Sequence, residues 1–122
     1  MDVNAEYGMS AEISTKCDVY SFGVLLLQRV TGCSPTDEKF NDGTTLHEMV
    51  NRAFPKSIYE VIDPQIMQDE SNAADVMESC VIPLVRIALS CSTTSPKARP
   101  EMGQVCKEIL RIKHEASNMQ VR

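Results

Sequence analysis

Apolar residues in the segment STKCDVYSFGVLLLQRVTG, residues 14–32, are spread around the whole helical wheel rather than along one stripe. The segment carries helix signals, since Thr15 can act as N-cap and Gly32 can lie just past the last turn. A helix that is apolar on all sides belongs at the centre of a large domain or in a membrane. A membrane span needs about 20 apolar residues, and the longest uninterrupted run here is Val24–Leu27. We therefore predict a surrounded helix over residues 15–30.

Three further helical patterns follow along the chain. Thr45 can cap a short helix over residues 46–54, which a proline closes. A longer amphipathic helix begins near Asn72, with Pro83 as its start or as a kink, and Pro100 suits the first turn of a last helix. The apolar stripes of these two long helices are Val76, Cys80, Leu84, Ile87, Ala88 and Cys91, and then Met102, Val105, Cys106, Ile109 and Ile112.

The pattern as a whole favours an all-α fold. No stretch alternates with the period of two that marks a half-buried strand, and residues 1–12 read as a loop because Gly8 lies among polar side chains. We predict four or five helices around the central apolar one.

The charge and composition narrow the class of protein. The formal net charge is −5, the sequence pI is near 5.0, and tryptophan is absent. A sequence-blind nucleic-acid binder needs a basic stripe and stacking side chains, so these values argue against one. Residues 1–10 contain acidic side chains and lack the apolar core of a signal peptide. The sequence therefore predicts a soluble, cytoplasmic chain without a membrane span.

The five cysteines show no metal or disulfide pattern. Their count is odd, and no two are spaced as in a CxxC pair. We expect free thiols that act as small apolar side chains in a reducing compartment.

No catalytic, cofactor-binding or metal-binding constellation can be assembled from the sequence. His47 and Glu48 form half of an HExxH zinc motif, but Asn51 replaces the second histidine, so His47 is expected on the surface. His114 has Cys106 two helical turns away and no third ligand. No GxSxG motif is present, and the glycines are too far apart to cradle phosphate.

Two charged residues lie close to predicted apolar elements. Asp18 falls in the first turn of the central helix, and Arg99 precedes Pro100 at the start of the last helix. A charge near a core usually needs a partner, and arginine suits a bidentate carboxylate. The alternatives are a capping-box acid at Asp18 and an exposed connector residue at Arg99, and the pattern alone does not choose between these and the paired roles.

Several segments together resemble the end of a plant receptor-like protein kinase domain, in particular the leucine-rich-repeat receptor kinases. They are AEYG, TKCDVYSFGVLLLQRVTGCSPTDEKF, LHEMV, AFP, EVIDP and LVRIALSCSTTSPKARPEMGQV, in the family's order and at its spacing. The similarity runs over residues 5–115. It implies that residues 1–12 end an activation segment, that residues 13–115 form part of a kinase C-lobe, and that residues 116–122 are a C-terminal tail.

The resemblance implies structural roles for three residues. Asp18 would hold the backbone of the catalytic loop from the start of the central helix. Glu6 matches the glutamate of the family's Ala-Pro-Glu motif, and Arg99 matches the arginine that pairs with it. The chain departs from that motif, since it has Asn4-Ala5-Glu6 and so lacks the proline.

The family's catalytic groups are missing from these 122 residues. They are the Gly-rich loop, the ATP-anchoring lysine, the catalytic-loop aspartate and asparagine, and the magnesium-binding aspartate. Phosphoryl transfer depends on positioning and charge stabilisation by these groups and the metal. The resemblance thus implies a parent Ser/Thr kinase that uses ATP and Mg²⁺ at the cytosolic side of the plasma membrane. It implies for this chain a truncated C-lobe, inactive alone and without a cofactor.

The alternative is an interaction module that binds a full-length kinase or its substrates and acts as a decoy. Its docking surface would be the short helix that carries His47, Glu48 and Arg52. The helix that covers one side of the central helix in the family is also missing, so Tyr20 and Leu27 are expected to be under-covered. Such an apolar patch would favour self-association through the central helix.

Overall fold

The computed structural model describes residues 3–40, 42–67 and 73–121, with side chains over residues 15–40, 42–66 and 74–118. These ranges are helical and contain no strand, which confirms the all-α prediction. The helices are α1 (Val3–Thr31), α2 (Leu46–Ala53), α3 (Ala73–Val76), α4 (Ile82–Cys91) and α5 (Met102–Val121). Short 3₁₀ turns cover Glu38–Phe40, Ile58–Glu60, Pro64–Met67 and Pro96–Ala98. Within the described part, no helix is long and apolar enough to cross a membrane.

Helix α1 begins far earlier than the sequence suggests. It runs from Val3, so the predicted loop over residues 1–12 and the predicted N-cap at Thr15 are wrong where the structure describes them. The reason is that no proline interrupts this segment, and Gly8 alone disfavours a helix by only about 1 kcal/mol.

The end of α1 is as predicted. Gly32 adopts a positive φ of 72°, and its N–H donates to the carbonyl of Gln28 at 2.8 Å. Glycine takes this left-handed conformation without the steric penalty of a side chain, which makes it the common residue after a helix. The Thr31 hydroxyl also donates to the Leu27 carbonyl in the last turn, at 2.6 Å.

Over residues 15–31, where its side chains are described, α1 is covered on one face. Val19, Gly23 and Leu27 follow each other at four-residue steps and are buried, and Leu27 is fully inaccessible. The expectation that Leu27 is under-covered is therefore wrong, because it lies on the face that packs into the main core. Tyr20 and Leu25 lie off this stripe and are 40% and 58% exposed. The predicted exposure of Tyr20 is confirmed, and Leu25 is more exposed than Tyr20.

The main core forms where α1, α2 and α4 meet. It also includes residues from the 3₁₀ turns between α2 and α3 and from the segment that precedes α4. Its buried members are Leu27, Val30, Leu46, Val50, Ile58, Ile62, Met77, Val81, Val85, Ala88 and Leu89.

A smaller core joins α5 to α1 and α4. Val19, Cys91 and Val105 are buried there. Cys106 is exposed although the sequence pattern placed it on the apolar stripe, because it is one residue, about 100° of helix, away from Val105. Cys17 is exposed too. None of the five cysteines forms a disulfide, and Cys91 is the buried one.

Helices α1 and α4 approach each other closely at Gly23. A Cβ atom on this residue would lie 2.7 Å from the Cys91 Cβ and 2.9 Å from the Ala88 carbonyl oxygen. These distances are shorter than any ordinary contact, so the two helices touch through the bare backbone of Gly23.

Helix α4 continues from α3 through a π-helical turn, Met77–Val81. Within it the N–H of Ile82 donates to Met77, five residues back instead of four. Pro83 follows in the first turn of α4 and has no N–H to donate. The irregular turn therefore lies directly before the proline. The predicted irregularity at Pro83 is confirmed in this form.

Candidate functional site

The side chain of Arg99 joins the start of α5 to the middle of α1. Its Nε donates to the Thr93 carbonyl at 3.0 Å and its Nη1 to the Lys16 carbonyl at 3.0 Å. Its Nη2 reaches the Thr94 carbonyl at 3.4 Å, a longer and weaker contact. The guanidinium also lies over the Tyr20 ring, 4.8 Å from the ring centroid, in a cation–π arrangement.

Lys16 of α1 also bonds to the segment that precedes α5. Its Nζ donates to the Arg99 carbonyl at 3.0 Å and to Glu101 Oε1 at 3.0 Å. Each of the two cations therefore donates to the main-chain carbonyl of the other. We call Lys16, Tyr20, Arg99 and Glu101 the α1–α5 junction. Charged donors to carbonyls make stronger hydrogen bonds than neutral ones, so this junction fixes α1 and α5 relative to each other.

The expected pairing of Glu6 with Arg99 stays a prediction, because the Glu6 side chain lies outside the described side chains. Three of the five guanidinium N–H groups of Arg99 donate to carbonyls. The rest of the guanidinium could accommodate a carboxylate. Asp18 is exposed on α1, and its carboxylate makes no hydrogen bond or ion pair with a described residue. Its expected role at a catalytic loop also stays a prediction.

Helix α2 carries the three residues that the sequence analysis assigned to docking. Thr45 caps it as predicted, since its side-chain oxygen accepts the N–H of Glu48 at 3.0 Å. Glu48 and Arg52 are exposed and lie 3.8 Å apart, one helical turn from each other. An exposed pair of this kind contributes only a few tenths of a kcal/mol, roughly 0.3–0.5. These two charges remain accessible to a partner.

The ring of His47 is half-buried against α4, whereas the sequence analysis expected it on the surface. Its Nδ1 lies 2.7 Å from the Ser92 Oγ, and Ser92 is buried. The Ser92 hydroxyl gives its one hydrogen to the Ala88 carbonyl at 2.7 Å. The histidine must therefore donate from Nδ1. Burial lowers the pKa of His47 below its ordinary 6.5, and the Glu48 carboxylate opposes that shift more weakly.

This arrangement does not form a nucleophile. The Ser92 hydroxyl donates to a carbonyl, and His47 donates to the serine instead of accepting its proton as a general base would. No group of three or more His, Cys, Asp and Glu side chains in the described ranges is placed to hold a metal ion. Two features remain as candidates, the hydrogen-bonded α1–α5 junction and the exposed charged side chains of α2.

Sequence reasoning missed Lys16, Tyr20 and Ser92. Lys16 contacts Arg99 and Glu101, and Ser92 contacts His47, at long sequence separations that no local pattern marks. Tyr20 lay among eight apolar residues of one helix with nothing to mark it as the partner of Arg99. The cap at Thr45, in contrast, could be predicted from the sequence, because Thr45 and Glu48 are only three residues apart.

Known proteins similar to this chain are plant receptor kinases. A putative leucine-rich repeat receptor-like serine/threonine-protein kinase of Arabidopsis thaliana is 34% identical over 113 residues, 88% of this chain and 12% of that protein. The receptor kinase-like protein Xa21 of Oryza sativa subsp. japonica is 31% identical over 122 residues, 93% of this chain and 12% of Xa21. A probable LRR receptor-like serine/threonine-protein kinase of Arabidopsis thaliana is 33% identical over 108 residues, 88% and 11% of the two chains.

No protein-family model matches the chain. The chain spans about a tenth of the length of the relatives it matches. By these similarities it is a homologue of the plant leucine-rich repeat receptor-like serine/threonine kinases, matching one short segment of them.

Proposed function

We propose that the chain is the lower part of a kinase C-lobe, whose parent protein phosphorylates serine and threonine in signalling. In this proposal the segment serves as a support and a docking surface and carries no phosphoryl-transfer group. The observation that carries it is the α1–α5 junction. Arg99, which the family resemblance singles out, is bound to α1 by its guanidinium and fixes the two helices.

We also propose that the 122-residue chain is inactive alone. The Gly-rich loop, the ATP-anchoring lysine and the acidic residues that hold Mg²⁺ are absent from this sequence. Phosphoryl transfer needs these groups to hold nucleotide and neutralise the developing charge. ATP and Mg²⁺ are then cofactors of the complete domain. Because that domain would draw on cytosolic ATP, the proposal includes a cytoplasmic location.

The test of inactivity is a phosphorylation assay with the purified chain, Mg²⁺, radiolabelled ATP and a generic basic protein substrate. We expect no incorporation above that of a heat-denatured sample, while an active receptor-like kinase domain in a parallel reaction labels the substrate. Time-dependent labelling by the chain itself would overturn the proposal.

A second candidate is a decoy that binds a full-length receptor-like kinase or its substrates through α2. The observation in its favour is that Glu48 and Arg52 form an ion pair only with each other among described residues, and their side chains are 49% and 72% exposed. We expect the single reversal Glu48→Lys to weaken capture of such a kinase from solution. The double exchange Glu48→Lys with Arg52→Glu keeps the ion pair of α2 and should also bind weakly. Undiminished capture by both variants would exclude α2 as the docking surface.

A further inference from the structure

The exposed side of α5 carries cations around a single large apolar side chain. At about 100° of rotation per residue, five residues of this helix share an arc of about 120°, and all five are exposed: Cys106, Lys107, Leu110, Lys113 and His114. We call these residues the basic face of α5. Leu110 lies at the centre of the face, between the two lysines. It is 63% exposed, the highest value among the large apolar side chains that the structure describes.

The acidic side chains of α5 lie away from this face. Glu108 and Glu115 are about 140–160° of helix rotation from Leu110, and Glu108 is already paired there with Arg111 at 2.6 Å. Lys107 and Lys113 form no ion pair with any described residue. The two lysine charges are therefore unpaired within the described ranges, although the whole chain has a formal net charge of −5.

The number and spacing of these charges favour an acidic protein segment over an anionic membrane. Anionic membranes attract clusters of about four to eight lysines and arginines, whereas this face has two lysines in an acidic chain. A membrane would also repel the net negative charge of the rest of the molecule. A single helix, in contrast, contacts this face alone. Lys107 and Lys113 are about 9 Å apart along the helix axis, which matches two carboxylates placed one turn to either side of an apolar residue.

We propose that the basic face of α5 binds an acidic helical segment of a partner protein. In the complex an apolar side chain of the partner packs on Leu110, and two carboxylates of the partner pair with Lys107 and Lys113. Charged pairs that flank an apolar contact fix the register of two helices and the choice of partner. These pairs lie at the edge of the contact, where water and salt screen them, so binding should weaken as the salt concentration rises. This inference does not rest on the proposed kinase-related function.

The test titrates a synthetic peptide with two copies of the sequence Glu-Ala-Ala-Leu-Ala-Ala-Glu into the isotope-labelled 122-residue chain, followed by NMR. We expect saturable changes in amide chemical shift, centred on residues 106–114. The matched peptide with glutamine in place of glutamate should bind about fivefold more weakly, because it loses both charge pairs. Equal binding by the two peptides, changes centred elsewhere, or no saturable change would overturn the proposal. Vesicles that contain phosphatidylserine are the second probe. If they retain the chain and the acidic peptide does not bind, the face is a membrane contact and the proposal is wrong.

Three variants separate contact at the face from general attraction between charges. Lys113→Gln should weaken binding of the acidic peptide by about two- to fivefold, the range for one exposed ion pair. Arg111→Gln is the matched control, since it removes the same charge from the same helix at a side chain that pairs with Glu108. Leu110→Gln should weaken binding of both peptides. Equal weakening by Lys113→Gln and Arg111→Gln, or no effect of Leu110→Gln, would overturn the proposal. The three side chains are exposed, and circular dichroism checks that the variants keep their helices.

Discussion

At the scale of single residues, Gly23 sets how closely α1 and α4 approach. We predict that Gly23→Ala destabilises the fold by about 1–3 kcal/mol, because the new methyl group meets the Cys91 side chain and the Ala88 backbone. Gly103 on α5 is the matched control, since a Cβ there meets nothing within 4 Å. Gly103→Ala should be neutral or stabilise by up to about 1 kcal/mol. Urea denaturation of the two variants measures both effects, and equal stability would refute the close approach at Gly23.

His47 gives stability a pH dependence at the same scale. Its pKa is lower in the folded chain than its ordinary 6.5, so the unfolded chain binds a proton first as the pH falls. The contribution of His47 to the free energy of unfolding is fully present above about pH 6.5. It declines as the pH drops through that value toward the pKa of the folded chain. The loss should stay below about 1 kcal/mol, because the half-exposed ring is partly screened by water.

The measurement for this prediction is the free energy of unfolding at about pH 7.5 and about pH 5. Wild type is compared with His47→Gln, which cannot titrate. The free energy of unfolding that wild type loses between these two pH values, minus the loss in His47→Gln, is the part that His47 contributes. A decline of the same size in both would show that other groups carry it.

At the scale of elements, the α1–α5 junction is expected to stabilise far more than surface ion pairs. Arg99→Met removes charged hydrogen bonds to the carbonyls of Thr93 and Lys16 and should cost about 2–3 kcal/mol. Arg111→Met is the control, because it breaks only the exposed pair with Glu108 and should cost at most about 1 kcal/mol. Thermal unfolding of both variants tests the difference, and similar melting temperatures would argue against the junction.

The elements also show which parts of the fold the sequence determines locally. The cap at Thr45 and the stop at Gly32 could be predicted because each depends on residues within one helical turn. The start of α1 could not, since its first residues contain no breaker as strong as proline. Nor could the sequence distinguish buried Leu27 from exposed Leu25, because apolar residues lie all round that helix.

The candidate site was predictable to the same limited extent. Arg99 was singled out by the family resemblance, and its carbonyl acceptors were not. His47 was assigned to the surface because an isolated histidine carries no sign of a partner such as Ser92, which lies 45 residues away. Long-range contacts between a side chain and the backbone depend on the packing of whole helices, which local patterns do not encode.

At the scale of the whole molecule, exposed apolar side chains favour weak self-association through α1. We predict a concentration-dependent rise in sedimentation coefficient that Leu25→Glu abolishes. Leu110→Glu on α5 is the control, since Leu110 is 63% exposed and Leu25 is 58% exposed. If Leu110→Glu removes the rise and Leu25→Glu does not, α5 is the contact surface instead of α1.

The α1–α5 junction has a last consequence for how the molecule opens. Arg99 and Lys16 are 83 residues apart in sequence and donate to each other's main chain. Holding such distant segments together links their opening, because neither can leave its place without breaking bonds to the other. Amide hydrogens in the middle of α1 and at the start of α5 should therefore exchange with solvent at one common rate, as a single cooperative unit. In Arg99→Met that unit divides in two, and the weaker half exchanges first.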